Sequence, residues 1–146
     1  MPEPDDRGAA NTPRSPEPAA RATGLTKRYG EGDTAVVALD AVDVEFGRGE
    51  FTAIMGPSGS GKSTLMHCMA GLDTVTSGTV VVDGEDVARL GQRGLTRLRR
   101  ERVGFVFQAF NLIPTLTAEE NITLPLDIAR RPVDRDWFDT VVDAVG

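Results

Sequence analysis

The chain has 146 residues, with 22 acidic against 16 basic side chains and a net charge of −6, so it is one domain's worth or part of a larger one and has no positive field to gather nucleic acid. Its single cysteine, Cys68, excludes an internal disulfide and points to a reducing compartment. No apolar run approaches the length of a bilayer span and no apolar signal core is visible near Met1, so a cytoplasmic location is expected.

Residues 1–22 carry Pro2, Pro4, Pro13, Pro16 and Pro18 among charged and small side chains. With so little apolar surface to offset chain entropy, the segment is expected to be a disordered tail, leaving 23–146 as the folded part. Leu25-Thr26-Lys27-Arg28-Tyr29 reads as a short strand stopped by the Gly30-Glu31-Gly32-Asp33 turn. Tyr29 is the one tyrosine. Local pattern favours a half-buried strand residue there, and an aromatic platform for a purine ring is the alternative. Val36–Leu39 and Ala41–Phe46 follow. The second alternates apolar with acidic residues, the mark of an antiparallel strand with one wet face.

Gly47-Arg48-Gly49-Glu50 then turns the chain into Phe51-Thr52-Ala53-Ile54-Met55, which is apolar enough to predict a strand covered on both faces. Directly after it stands Gly56-Pro57-Ser58-Gly59-Ser60-Gly61-Lys62-Ser63-Thr64, and then a stretch able to turn as a helix. Strand, glycine-rich loop, Lys-Ser and helix is the order of a phosphate-binding P-loop. A triphosphate is a dense anion that needs inward-aimed donors and no side chains in the way. Glycines let backbone N–H groups close around phosphate oxygens, and the helix N-terminus adds unpaired donors and the positive end of its dipole. Lys62 supplies a point charge for the β- and γ-phosphates, and the Ser63 hydroxyl suits Mg²⁺.

On the following helix Leu65, Met69 and Leu72 share a face, with Cys68 beside Leu65, and Gly71 suits the C-terminal cap. His67 and Cys68 are adjacent and point apart, so they read as structural rather than as metal ligands. Ser77-Gly78 turns into a strand at Thr79–Val82, and Asp83-Gly84 is a tight-turn signal. Gln92–Arg102 is a predicted helix with Leu95 and Leu98 facing in. Its five arginines read as a solvated face, with a phosphate or lipid site as the alternative. Val103–Gln108 reads as an apolar core strand. Thr117-Ala118-Glu119-Glu120 is a capping box, which predicts a kinked helix through Pro125 even though Ile122, Leu124, Leu126 and Ile128 alternate with a strand's period. Phe138, Val141, Val142 and Val145 mark a last, one-faced helix.

Several of these segments together resemble the ATP-binding subunits of ABC transporters: Leu25–Gly30, Gly56–Thr64, Gly104–Gln108, Phe110-Asn111-Leu112 and Glu120-Asn121-Ile122. The resemblance spans about residues 23 to 146 and is nearest the bacterial lipoprotein-release and macrolide-export branch, which also holds a cell-division member. It implies an α/β fold, a P-loop NTPase core with an N-terminal antiparallel β subdomain and the start of a helical subdomain, incomplete in this chain. It makes Tyr29 the aromatic that stacks on adenine and Gly56, Pro57, Ser58, Gly59, Ser60, Gly61, Lys62, Ser63 and Thr64 the Walker A loop for Mg-ATP. Lys62 then serves the phosphates and Ser63 the metal, and Gln108 is the glutamine that reaches the metal and the attacking water. It further implies a transmembrane permease docking near Ala109–Leu126, a homodimer of ATP-binding subunits in the full-length form, and a peripheral position on the inner face of the cell membrane; the net charge already argues for no nucleic-acid partner.

The resemblance also implies a signature motif, a Walker B aspartate with its glutamate, and a switch histidine, all of which would match positions beyond Gly146. The carboxylates of the chain are read as lying outside a strand-end apolar-run context suited to Walker B, and His67 lies on the predicted loop helix. The expectation is an energising ATPase subunit without its turnover residues. A non-catalytic nucleotide-binding or regulatory module is the alternative. A P-loop small-molecule kinase is a weaker one, because β structure precedes the loop and Tyr29 would have no role.

Overall fold

The computed structural model describes residues 17–107 and 109–146. The chain divides into two compact units, Met1–Asp86 and Val87–Gly146.

The first unit is built on an antiparallel sheet of four strands in the order β2-β1-β3-β4, with β1 Ala20–Tyr29, β2 Val36–Phe46, β3 Ser77–Val82 and β4 Glu85–Asp86. β1 is central: Ala20, Arg21 and Ala22 pair with Phe46, Glu45 and Val44 on one side and with Val82, Val81 and Val80 on the other. The helix α1, Lys62–Met69, packs against β1, β2 and β3. The core follows from that contact. Ala22, Leu25, Leu39, Val80 and Val82 from the sheet are buried together with Leu65, Cys68, Met69 and Ala70 from the helix and its end. Fully burying each large aliphatic side chain among these contributes about 1.5–3 kcal/mol.

Four expectations need correction in this unit. Strand β1 begins at Ala20, inside the stretch assigned to the tail. Ala22 is 1% exposed, so a small side chain suffices where two neighbouring strands supply the ladder and the cover. The two strands expected at Val36–Leu39 and Ala41–Phe46 are one. The strand absorbs an irregularity at Ala41, which takes a positive φ of 47° and donates its N–H to the Thr26 hydroxyl at 3.0 Å. The expected core strand at Phe51–Met55 joins no ladder, and Phe51 and Met55 are 98% and 86% exposed. A strand needs a neighbour for its backbone groups, and none of β1–β4 pairs with it. Leu72 likewise lies beyond α1 and is exposed. The tight turn at Asp83-Gly84 forms as expected, with both residues at positive φ.

The second unit carries α2 Gln92–Glu101, α3 Ala118–Ile128 and α4 Arg135–Val145. Leu98 is the buried anchor of α2. The strand expected at Val103–Gln108 is not formed over 103–107: Phe105 and Phe107 stack on each other at 5.3 Å and Val106 is fully exposed. Position 108 lies outside the described residues. The competition over α3 is decided for the helix. Thr117 accepts from the Glu120 N–H while the Glu120 carboxylate accepts from the Thr117 N–H, and Pro125 sits inside the helix. Asn121 then fixes the segment ahead of α3. Its Oδ1 accepts from the Ile113 N–H at 2.8 Å, and its Nδ2 donates to the carbonyls of Ile113, Leu116 and Thr117. α4 is capped by Asp134, which accepts from the Trp137 N–H, and Arg135 pairs with Glu119.

Two extended apolar stretches therefore face solvent in this chain, around Phe51 and around Val106. The chain is expected to bind a hydrophobic dye such as ANS and to self-associate. The double substitution Phe51→Ser and Val106→Ser should reduce dye fluorescence and light scattering while leaving the far-ultraviolet circular dichroism of the sheet unchanged.

Candidate functional site

The loop Gly56–Gly61 leads directly into α1, and Gly61 is the hinge of the arrangement. It caps the helix in the left-handed region at φ 87°. A Cβ at this position would lie 2.5 Å from the Ala38 carbonyl oxygen and 3.0 Å from a methyl of Leu39. Only glycine lets the loop press against the backbone of β2 and begin the helix there. The helix's backbone ladder opens with Leu65 N–H to the Gly61 carbonyl at 2.8 Å, which leaves the amides of Lys62, Ser63 and Thr64 ahead of the ladder at the positive end of the helix.

Within the loop, Ser60 N–H closes a turn on the Pro57 carbonyl at 3.3 Å. The Lys62 side chain folds back into it. Its ammonium donates to the carbonyls of Gly56 at 2.9 Å and Pro57 at 2.6 Å, with the Ser60 hydroxyl at 3.4 Å. A cation is thus fixed on the concave side of a glycine-rich turn, at the head of a helix. The exposed Ser63 sits on the first turn of α1 and offers a hard oxygen of the kind Mg²⁺ takes. The donor set, an ammonium, the helix-head amides and the Ser63 hydroxyl, fits a metal-bound polyphosphate. Ser58 and Gly59 are exposed. Gln108, the other expected metal contact, lies outside the described residues.

Tyr29 ends β1 and remains 42% exposed. Sequence reasoning missed what holds it. Leu25, Lys27 and Tyr29 alternate along one side of β1, and this places Lys27 on the apolar face, where it is 6% exposed. A buried ammonium needs partners. Lys27 has them in Asp73 Oδ1 at 2.6 Å, the Thr74 carbonyl at 2.7 Å and the Thr74 hydroxyl at 3.4 Å. The other carboxylate oxygen of Asp73 accepts the Tyr29 hydroxyl at 2.7 Å, and the Lys27 ammonium lies over the Tyr29 ring, 4.8 Å from its centre. The signal available in sequence was a lysine in phase with Leu25. Its acidic partner is 46 residues away and was not legible.

The charges tune one another. The Lys27 ammonium first, and the Tyr29 hydroxyl second, hold the Asp73 carboxyl below the usual carboxylate range. Asp73 in turn raises the Tyr29 hydroxyl above the ordinary tyrosine value, with the Thr64 hydroxyl acting in the opposite direction. Burial pushes the Cys68 thiol up, which suits a packed side chain rather than a reactive one.

The ABC transporter family model matches residues 39–146. The macrolide export ATP-binding/permease protein MacB of Marinobacter nauticus is 48% identical over 111 residues, which cover 76% of this chain and 17% of that protein. The lipoprotein-releasing system ATP-binding protein LolD of Geobacter metallireducens is 50% identical over 105 residues, covering 72% of this chain and 47% of that one. Among solved structures, the dimeric bacterial ABC transporter cassette MJ0796 superimposes with a TM-score of 0.72 at 45% identity, over 78% of this chain and 49% of that chain. The chain thus spans about half the length of LolD and less than a fifth of MacB. The expected α/β cassette fold, with its N-terminal antiparallel sheet, is the fold observed.

Two outcomes follow from the site's geometry. Gly61→Ala should lower stability by about 1–3 kcal/mol, from positive-φ strain and the clash with Ala38, read from the urea midpoint. Because the folded-state pKa of Asp73 lies below its unfolded value of about 3.9, its contribution is full above about pH 5 and is lost as the pH falls through the depressed value. The difference in urea midpoint between wild type and Asp73→Asn should therefore shrink between pH 6 and pH 3.

Proposed function

The chain belongs to the ABC transporter family, and from that premise we propose that it holds Mg-ATP through Gly56–Thr64 as part of the ATP-binding subunit that energises a membrane transporter of the MacB and LolD type. The observation that carries this reading is the Lys62 ammonium fixed inside the glycine-rich turn at the head of α1. A phosphate chain lying in the turn would take the amides of Lys62, Ser63 and Thr64 as donors and exchange the loop carbonyls around Lys62 for its own, more strongly charged oxygens. When bound, Mg²⁺ would supply charge neutralisation between the β- and γ-phosphates, with Ser63 as its protein ligand and Gln108 as the second contact. Tyr29 would lie against the adenine, as a planar ring with exposed surface allows.

The partners in this reading are a transmembrane permease that docks near Ala109–Leu126 and a second ATP-binding subunit. The similar cassette MJ0796 is dimeric, and one of its structures is a post-hydrolysis state bound to ADP and Pi. Among the described residues no helix is long and apolar enough to cross a membrane, which agrees with a peripheral position on the inner face of the cell membrane. Turnover is a separate matter. The carboxylate that does follow an apolar strand, Asp83 after Val80–Val82 of β3, sits in a tight turn and is paired with Arg48, and in this reading these 146 residues bind nucleotide without sustained hydrolysis.

The test is titration of the chain with a fluorescent ATP analogue in the presence of Mg²⁺. Binding is expected, and Lys62→Ala should weaken it by roughly tenfold or more, since a charge-assisted contact to phosphate is lost. Steady phosphate release that Lys62→Ala abolishes would show that turnover is intact and overturn the second half of the proposal.

A further inference from the structure

Lys27, Asp73 and Tyr29 form a cluster whose cost to the fold asks for an explanation. A lysine on the buried face of a central strand gives up its hydration, and three acceptors are arranged to replace it. A purely structural pin would be complete with the ion pair. Here the carboxylate is divided: Oδ1 serves Lys27 and the Thr74 N–H, while Oδ2 is left for the Tyr29 hydroxyl. The tyrosine is therefore held at its far end by a hydrogen bond, near its face by the ammonium, and at its Cα by β1. An exposed aromatic at a strand end would otherwise sample several rotamers. The placement of Asp73 links this to the loop, because α1 begins at the Gly61 hinge and the chain leaves it through Gly71, at φ 63°, to set Asp73 at the Tyr29 hydroxyl. The same helix that heads the loop thus locates the carboxylate that orients the ring.

We propose that Asp73, seated by the buried Lys27 ammonium, is a positioning residue that fixes the Tyr29 ring as the stacking surface for the base of the bound nucleotide. This rests on the nucleotide-binding reading above and adds to it the residues that set preference for a base-bearing triphosphate over a bare polyphosphate. Fixing the ring before the ligand arrives removes the ordering cost from binding, so the gain falls on ligands that carry a base. Inorganic tripolyphosphate has no base to stack and is indifferent to the ring.

The experiment compares Mg-ATP and Mg-tripolyphosphate affinities for wild type, Asp73→Asn, Tyr29→Phe and Tyr29→Ala in the full chain. Asp73→Asn and Tyr29→Phe should weaken Mg-ATP by a few-fold, Tyr29→Ala by roughly tenfold, and all should leave tripolyphosphate unchanged. Tyr29 is the one tyrosine, so absorbance near 295 nm reports its hydroxyl alone, and Asp73→Asn should shift that ionisation to lower pH. Equal losses for both ligands would mean a structural pin and would overturn the proposal, as would an unmoved tyrosine ionisation or an unchanged ATP preference in Asp73→Asn. A wild-type chain with no preference for Mg-ATP over tripolyphosphate would overturn the adenine-platform reading itself. A preserved preference that Asp73→Asn does not touch overturns only the role of Asp73.

Discussion

The close approach of the chain at residue 61 to the backbone of β2 is the constraint on which the rest of the first unit depends. The Ala38 carbonyl stands where any side chain at 61 would begin. Because glycine removes that obstacle, α1 starts hard against the sheet rather than a turn away from it, and its buried side chains reach the strands. Leu65, Cys68 and Met69 close the core over Leu25, Leu39 and Val80. One contact therefore aligns the helix axis, seats the loop and completes the core. Packing and site geometry are set by the same atoms.

Strand β1 carries the second line of dependence. Its two-residue period brings Leu25, Lys27 and Tyr29 to one side, so a core residue, a buried charge and an exposed aromatic follow one another toward the strand's end. The polarity rises in that order, from a side chain with no exposure to one that is nearly half exposed. Asp73 satisfies the second of these and holds the third. The chemistry at the edge of the sheet is continuous with the core through two ion-supported hydrogen bonds, not through apolar contact.

What could be read from the sequence was what is decided locally. The Thr117–Glu120 capping box outweighed the period-two pattern of Ile122 to Ile128 because its bonds close within four residues. The Asp83-Gly84 turn, the loop-to-helix transition at Gly61 and the Leu98 anchor of α2 depend on neighbours in sequence in the same way. The strands misread at Phe51–Met55 and Val103–Phe107 are apolar for a reason their own residues do not state, since a ladder requires a partner chosen by topology. Ala20–Ala22 failed in the other direction: alanines give no apolar signal, yet two flanking strands make them core. Lys27 and Asp73 are the sharpest case, because the charge that makes a buried lysine tolerable lies in the loop after α1, far along the sequence.

The four hydrogen bonds that the Asn121 side chain makes, one accepted and three donated, carry a mechanical consequence. A single amide near the start of α3 grips the backbone at Ile113, Leu116 and Thr117, while the capping box locks Thr117 to Glu120. The segment and the helix start then have few soft torsions left between them. A load applied at Ile113 would displace the first turn of α3 as one stiff arm, with little of the motion absorbed along the way.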